Sequence, residues 1–343
     1  MKFLTLVAAL LGGVGTTLAS SVIPNTDPLI FFHGRWDTAP ETWWSGSGFK
    51  LNVANLTSLT INLGPNTTLP SVALGVSIAY QPFFSFDAVP GANVIPLPAP
   101  ATLNSNEANG TTVVRINAEM YFSSQMNLES IVLNEGAHLV PYVPSAIAFE
   151  FIGDSFSTET VVAQPGAALT DIFSYGNVHG MSFQFFQTED TSYFNDPFHN
   201  YTTPWNFSRD VPERTHVVVH IGANDAAQGV TQDDFVQTYL DFLATIRVLY
   251  PTQPFFIFTP WGWPNPEGPN SYYYPGAYPT VVEGRQALGD NNLFIVDTTG
   301  WVTYADVYPD SLHPSVEGHM KIAGLFQAWL ENWGLEPLEA WSN

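Results

Sequence analysis

The N-terminal part of the chain alternates apolar and polar positions in short runs. Ser58–Leu63 and Thr112–Ile116 are examples, and clusters of Gly, Pro and Asn separate such runs. Alternation with a period of two, bounded by turn residues, indicates half-buried antiparallel strands. We therefore predict an N-terminal β-sandwich of jelly-roll type over residues 20–142. Residues 89–103, which are rich in Pro, Ala and Asn, are predicted to form a long loop within it.

After residue 142 the pattern changes to continuous apolar runs that alternate with helix-like segments. Such runs are typical of parallel strands buried on both faces. The runs that we interpret as strands cover residues 146–152, 160–163, 216–221, 254–259 and 293–296. Residues 233–249 and 316–333 have helical periodicity and acidic residues in the first turn. The pattern predicts a three-layer α/β/α domain with a parallel sheet over residues 143–343.

The first residues have the features of an export signal. Lys2 precedes an apolar run that extends to Val14, and small residues lead up to Ala19. We expect residues 1–19 to be a signal peptide and the protein to be secreted. No later run reaches the ~18 uninterrupted apolar residues of a membrane-spanning helix, so we expect no membrane partner.

Composition and charge exclude several kinds of chemistry. The absence of cysteine excludes a thiolate nucleophile, Cys-ligated zinc and disulfides. The formal charge of -22, with nine Lys and Arg, disfavours nucleic acid and anionic lipid. The histidines show no metal-binding spacing such as His-Glu-x-x-His, so we expect neither a metal nor another cofactor. We also expect a monomer.

Five Asn-x-Ser/Thr sequons are compatible with a glycosylated, secreted surface. They stand at Asn55, Asn66, Asn109, Asn200 and Asn206.

Three polar blocks follow predicted strands of the second domain. They are Gly153-Asp154-Ser155, Gly222-Ala223-Asn224-Asp225 and Asp310-Ser311-Leu312-His313. Open α/β sheets place their sites at the carboxyl ends of the strands, where these loops would converge. A serine nucleophile needs a base, and the base needs a carboxylate to orient it, which Ser155, His313 and Asp310 supply. Asn224 and a glycine amide suit an oxyanion hole, and we interpret Asp225 as structural.

These blocks resemble those of the SGNH (GDSL-like) hydrolases. The resemblance extends to Val161–Gly166, which implies that the amides of Gly166 and Ser155 join Asn224 in the oxyanion hole. Gly34–Asp37 and Trp43–Ser47 are similar to the β-sandwich of carbohydrate esterase family 2. The resemblance implies an acetylxylan esterase-like enzyme that removes acetyl groups from plant cell-wall polysaccharides or oligosaccharides without a metal.

The spacing after the nucleophile departs from the family pattern. Ten residues separate Ser155 from Gly166, whereas a parallel crossover needs about a dozen or more. We therefore predict that a helical segment is missing here, through a deletion or a mispredicted exon. Two alternatives to the acetylesterase stay open: a lipase or general esterase of the same fold, and a carbohydrate-binding protein with impaired catalysis.

Several aromatic and charged residues have two interpretations. Trp261 and Trp263 follow the strand at 254–259, and they either border the acyl or sugar site or pack in the core. Large aromatic residues are usually buried, so Trp36, Trp43 and Trp44 are expected at the interface between the domains. Arg35 is expected to pair with Asp37 or with a carboxylate of the other domain.

Overall fold

The computed structural model describes residues 21–99, 110–119, 124–155, 163–189, 202–307 and 309–335. The expected signal peptide, Asn109 and Asn200 lie outside these residues.

Among the described residues, eleven antiparallel strands form the two sheets of an N-terminal sandwich. The strands are β1 (Ser21–Pro24), β2 (Phe31–His33), β3 (Glu41–Thr42), β4 (Gly48–Ala54), β5 (Leu59–Leu63), β6 (Val72–Ile78), β7 (Phe84–Ala88), β8 (Gly91–Ile95), β9 (Thr111–Ala118), β10 (Met126–Leu133) and β11 (His138–Val140). One sheet has the order β1-β10-β5-β8, with β3 paired to β10. The other has the order β11-β4-β9-β6-β7, with β2 paired to β4. The predicted antiparallel sandwich is confirmed.

Alternate residues of the strands fill the core between the two sheets, as a period of two requires. Leu59, Ile61 and Leu63 of β5 are buried, while the residues between them are only partly buried. The prediction of a continuous loop over residues 89–103 is wrong for β8. The loop prediction relied on the prolines beyond Ile95. It overlooked the short alternation of β8, in which Asn93 and Ile95 are buried.

The C-terminal domain contains a parallel sheet flanked by helices. The strands, in spatial order, are β12 (Phe149–Gly153), β13 (His216–His220), β14 (Phe255–Phe258) and β15 (Leu293–Val296). The helices are α1 (Met181–Gln184), α2 (Ala223–Ala227), α3 (Gln232–Leu249), α4 (Ala277–Ala287) and α5 (Val316–Trp333). Short 3-10 turns cover Phe207–Arg209 and Tyr304–Val307.

The residues of the central strands alternate between two cores, which creates three layers. Val217 and Val219 pack in a core that contains the buried face of α3 and α4. Val218 faces the opposite side, where its core includes Phe326 of α5. The predicted three-layer α/β domain is confirmed.

The two long helices have side-chain N-caps. Thr231 caps α3 by accepting a hydrogen bond from the Asp234 amide at 3.2 Å, and Ser315 caps α5 by accepting one from the Gly318 amide at 3.1 Å. These caps fix where the helices begin, close to the predicted positions. None of the helices in the described part of the chain is long and apolar enough to span a membrane.

Two side chains of the sandwich domain are buried in the C-terminal domain. Trp44 belongs to the core beneath α3, and its indole N–H donates to the Thr188 carbonyl at 2.9 Å. Arg35 is fully buried and lies 3.5 Å from the Asp210 carboxylate. The expectation of an interdomain carboxylate for Arg35 is therefore correct.

Trp36 corrects the expectation of burial at the interface. It belongs to the core of the sandwich, and its indole N–H donates to the His33 and Gly48 carbonyls at 3.0 and 3.1 Å. Both acceptors lie within the sandwich domain itself. The turn before β4 thus provides hydrogen-bond acceptors for the Trp36 indole N–H, as a buried Trp requires.

Candidate active site

Ser155, His313 and Asp310 meet at the carboxyl edge of the parallel sheet. Ser155 follows the end of β12 by two residues, and His313 lies between the last 3-10 turn and α5. The Ser155 Oγ is 3.0 Å from His313 Nε2, and His313 Nδ1 is 2.7 Å from Asp310 Oδ2. With Nδ1–H donating to the carboxylate, Nε2 is the nitrogen that accepts the Ser155 hydroxyl.

Local backbone hydrogen bonds hold the Asp310 carboxylate in place. Its Oδ1 accepts the amides of Leu312 and His313, each at 2.8 Å. Ser311 between them has a left-handed φ of 67°, which closes the tight turn. Burial raises the pKa of Asp310, but the bonds from Leu312 and His313 outweigh it and lower the pKa below its usual value. The carboxylate therefore stays ionised and orients the imidazole.

Residues 166–170, which we call the loop of Gly166, are held in place by hydrogen bonds from other parts of the chain. The Asn224 Nδ2 donates to the Ala167 carbonyl at 2.9 Å, which leaves the second hydrogen of the amide for another acceptor. Gly166 has a φ of 74°, and its carbonyl accepts the Ser174 hydroxyl at 2.6 Å. The backbone at the predicted oxyanion position is thus fixed from both sides.

Asp225 holds the same loop one step further along. Its carboxylate accepts the amides of Leu169 and Thr170 at 2.7 and 2.9 Å, and its side chain is fully buried. Burial raises the pKa of Asp225, although the bonds from Thr170 and Leu169 act in the opposite direction. The sequence predicted a structural role for Asp225. It did not indicate that Asp225 holds the loop of Gly166.

The connection between Ser155 and Gly166 is described only at its far end. The prediction of a missing segment falls on residues 156–162, outside the described residues. Ala163 bridges Gly153 in parallel and Ser45 of the sandwich in antiparallel fashion. The Gln164 amide donates to the Gly153 carbonyl at 3.2 Å. Of the strand predicted at 160–163, only Ala163 is among the described residues, and it forms these two bridges.

The two candidate tryptophans differ in exposure. Trp261 is 3 % exposed, and its ring centroid lies 3.8 Å from that of His220. Its burial favours the alternative of core packing. Trp263 is half-buried and packs at 5.2 Å against Tyr273, so part of its surface remains accessible.

Two exposed rings near Gly166 were missed by the sequence interpretation. Phe173 is 65 % exposed and Tyr175 is 52 % exposed. They flank Ser174, which is fully buried and bonded to the Gly166 carbonyl. No sequence pattern distinguishes these rings from core aromatics, because their exposure depends on the buried anchor between them.

The other histidines near the site are neutral or paired elsewhere. Burial lowers the pKa of His220 to about 3, with a smaller contribution from His319. Burial and then His313 lower the pKa of His319 to about 4. His179 pairs with Asp171 at 2.9 Å. Within the described residues, no group of three His, Asp or Glu side chains is placed to hold a metal ion.

The fold and the family comparison together define the chain as an ester hydrolase. Residues 151–321 match the model of the GDSL-like lipase/acylhydrolase family. The chain is therefore an SGNH (GDSL-like) hydrolase, as the three blocks predicted. No curated protein matches it in sequence.

Solved structures share the whole two-domain arrangement. A family two carbohydrate esterase from Clostridium thermocellum, in complex with cellohexaose, is 19 % identical with a TM-score of 0.65, over 88 % of this chain and 98 % of that one. An acetyl xylan esterase from the rumen bacterium Butyrivibrio proteoclasticus is 14 % identical with a TM-score of 0.70, over 92 % and 98 %. A salicylyl-acyltransferase from a tetracycline biosynthetic pathway is 16 % identical with a TM-score of 0.59, over 93 % and 99 %. At such identities the likeness shows the fold.

Proposed function

We propose that this protein is a secreted carbohydrate acetylesterase that acts on acetylated plant cell-wall polysaccharides or oligosaccharides. The observation that carries the proposal is the unbroken chain of hydrogen bonds from Ser155 through His313 to Asp310. Two neighbours in fold are named as carbohydrate or acetyl xylan esterases, which supports the substrate class.

The proposed reaction proceeds through an acyl-enzyme. The Ser155 oxygen attacks the acetyl carbonyl carbon while His313 Nε2 takes the hydroxyl proton. The amides of Ser155 and Gly166, with the free N–H of Asn224, bind the oxyanion. His313 then gives its proton to the departing sugar oxygen as the ester bond breaks. Water, deprotonated by His313, attacks the acyl-enzyme carbonyl carbon. As the bond between this carbon and the Ser155 oxygen breaks, His313 returns the proton to that oxygen, which releases acetate and restores the Ser155 hydroxyl.

The surface around the site suits a sugar as the leaving group. Phe173 and Tyr175 present exposed rings beside the loop of Gly166, and Trp263 is partly accessible. Flat aromatic faces stack on the apolar faces of pyranose rings. We infer that these rings hold the sugar while the acetyl group occupies the Ser155 site.

The test is acetate release from acetylated xylan and acetylated xylo-oligosaccharides. We expect release by the unmodified enzyme, near-complete loss in Ser155→Ala, and full activity in Ser58→Ala, whose serine lies on the exposed surface of the sandwich. The proposal fails if no acetate appears or if Ser155→Ala remains active.

Two measurements separate the alternatives. A series of model esters with increasing acyl length distinguishes an acetylesterase from a lipase or general esterase, which prefers long chains. Labelling by a serine-directed phosphonate distinguishes an enzyme from a carbohydrate-binding protein with impaired catalysis, which would bind sugar without being labelled.

Export and glycosylation are separate parts of the proposal. The sequons at Asn55, Asn66 and Asn206 lie on exposed residues, as glycan attachment requires. N-terminal sequencing of protein recovered from the culture medium is expected to begin at Ser20. A decrease in mass on treatment with an N-glycosidase is the expected sign of glycans.

A further inference from the structure

Two cations lie side by side on the outer face of the six-stranded sheet of the sandwich. In the strand register Phe31 pairs with Lys50, Lys50 with Arg115, and Arg115 with Ser77. The neighbouring residues Leu51 and Val114 are buried in the sandwich core, so Lys50 and Arg115 point to the opposite face. Four strands thus contribute to a single row, which we call the Lys50–Arg115 patch.

Aromatic rings bracket both cations. The Lys50 ammonium lies 5.7 Å from the ring centroid of Phe31 and 5.3 Å from that of Tyr142. The Arg115 guanidinium lies 5.2 Å from the ring of Tyr80 and 4.7 Å from that of Phe83, which is 43 % exposed. These rings fix the position of the charges but do not neutralise them.

The patch has no carboxylate partner in the described part of the chain. Five of the other cations form ion pairs there: Arg35, Arg214, Arg247, Arg285 and Lys321. Neither Lys50 nor Arg115 does so, although the chain has 31 acidic residues. Two neighbouring cations without an ion pair among the described residues are therefore unexpected in a chain of such acidic composition.

The local electrostatics make an anion favourable at this place. Burial and then repulsion by Arg115 and Arg214 together lower the pKa of Lys50 to about 8. Burial also lowers the pKa of Arg115. Its Nε is buried and has no hydrogen-bond partner among the described residues. An anion between the two cations would relieve their repulsion and give this N–H an acceptor.

The net charge of the chain restricts the kind of anion. A formal charge of -22 repels densely charged polymers such as nucleic acids. An isolated carboxylate on an otherwise neutral polymer meets much less repulsion, and a sugar ring that carries it can stack on the exposed Phe83. We propose that the Lys50–Arg115 patch binds the carboxylate of a uronic acid residue in an acidic polysaccharide. This inference rests on the proposed carbohydrate esterase function and specifies its substrate.

Calorimetric binding of unacetylated oligosaccharides tests the patch independently of catalysis. The ligands are a xylo-oligosaccharide that carries one glucuronic acid and a neutral xylo-oligosaccharide of equal length. We expect the acidic ligand to bind at least tenfold more tightly at low salt. We expect that preference to disappear in 1 M NaCl, where charges are screened within about 3 Å.

Charge-neutral variants locate the site. Lys50→Gln and Arg115→Gln are each expected to abolish the preference for the acidic ligand, whereas Lys321→Gln, which removes a cation on α5, is expected to retain it. Thermal unfolding shows whether each variant is folded. Lys50→Gln removes a charge that repels Arg115, so we expect this variant to fold. If Arg115→Gln does not fold, Lys50→Gln alone is sufficient to test the patch.

The outcomes of this experiment and of the acetate assay are distinguishable. Equal affinity for both ligands, or a preference that survives in Lys50→Gln, overturns the patch even if acetate is released. A salt-sensitive preference lost in Lys50→Gln supports the patch even if no acetate is released, and in that case only the proposed esterase function fails.

Discussion

Asp225 offers the sharpest test of how the loop of Gly166 is held. Its carboxylate is the acceptor for two backbone amides, those of Leu169 and Thr170. Asp225→Ala removes both acceptors at once. The neighbouring Asn224 stays chemically intact, yet its own acceptor, the Ala167 carbonyl, belongs to the loop that is released.

The expected loss in the free energy of unfolding follows from these two hydrogen bonds and from the burial of Asp225. Each buried N–H left without an acceptor costs about 1–3 kcal/mol, so two cost about 2–6 kcal/mol. Burial raises the pKa of Asp225, which means that the native fold already opposes the charged form. Relief of that penalty offsets part of the loss. We therefore expect the free energy of unfolding to fall by about 2–3 kcal/mol, within the low end of this range.

The catalytic effect is expected to exceed what lost stability explains. Removal of one oxyanion donor typically lowers kcat by about 100- to 1000-fold. A displaced Gly166 amide would produce a loss of this kind in kcat for a small ester such as 4-nitrophenyl acetate, with a smaller change in KM. Urea unfolding and steady-state kinetics on Asp225→Ala measure the two effects separately.

The control and the contradictory result are equally definite. Asp241→Ala removes an exposed carboxylate of α3 and is expected to change neither quantity appreciably. Asp225→Asn keeps one acceptor but opposes the second amide with N–H groups, so an intermediate loss is expected. If folded Asp225→Ala keeps its kcat at temperatures well below its unfolding, the loop does not need this carboxylate for catalysis.

Three further predictions concern the interface, the sugar site and pH. Trp44→Ala is expected to lower the free energy of unfolding in urea by about 3–5 kcal/mol, because it empties a core position; an unchanged value would contradict the interdomain packing. Tyr175→Ala is expected to raise KM for acetylated oligosaccharides but not for 4-nitrophenyl acetate, and equal effects on both would exclude a sugar contact. The pKa of His220 falls from 6.5 to about 3 on folding, so the unfolded chain binds more protons in that window. Stability should therefore decline as pH falls below 6.5, by about 1.4 kcal/mol per unit for this group, and His220→Phe should show a shallower decline in pH-dependent urea unfolding.

The parallel sheet was predictable because burial on both faces leaves a continuous apolar run. β13 and β14 are such runs, and each was found within two residues of its predicted bounds. The helix α4 was not predicted, because Pro279 and Gly284 weaken its pattern. Pro279 is tolerated in the first turn, where its missing N–H has no helical partner to lose. Packing on β15 also stabilises α4, and local propensity does not report such a long-range contact.

The sequence indicated the residues that meet at the candidate site, but it did not indicate the contacts that support them. Ser155, His313 and Asp310 stand in blocks whose chemistry is evident from residue type and order. The supports depend on contacts between distant parts of the chain, such as the Asp225 carboxylate on the Leu169 amide, 56 positions away. No local pattern encodes a contact of that kind.

The sandwich also helps to position the segment that leads to Gly166. Ala163, three residues before Gly166, lies between β12 and Ser45 of the sandwich. The residue before Ser45, Trp44, is buried in the core under α3. The segment that leads to Gly166 is therefore held on one side by the sheet that carries Ser155 and on the other by the sandwich.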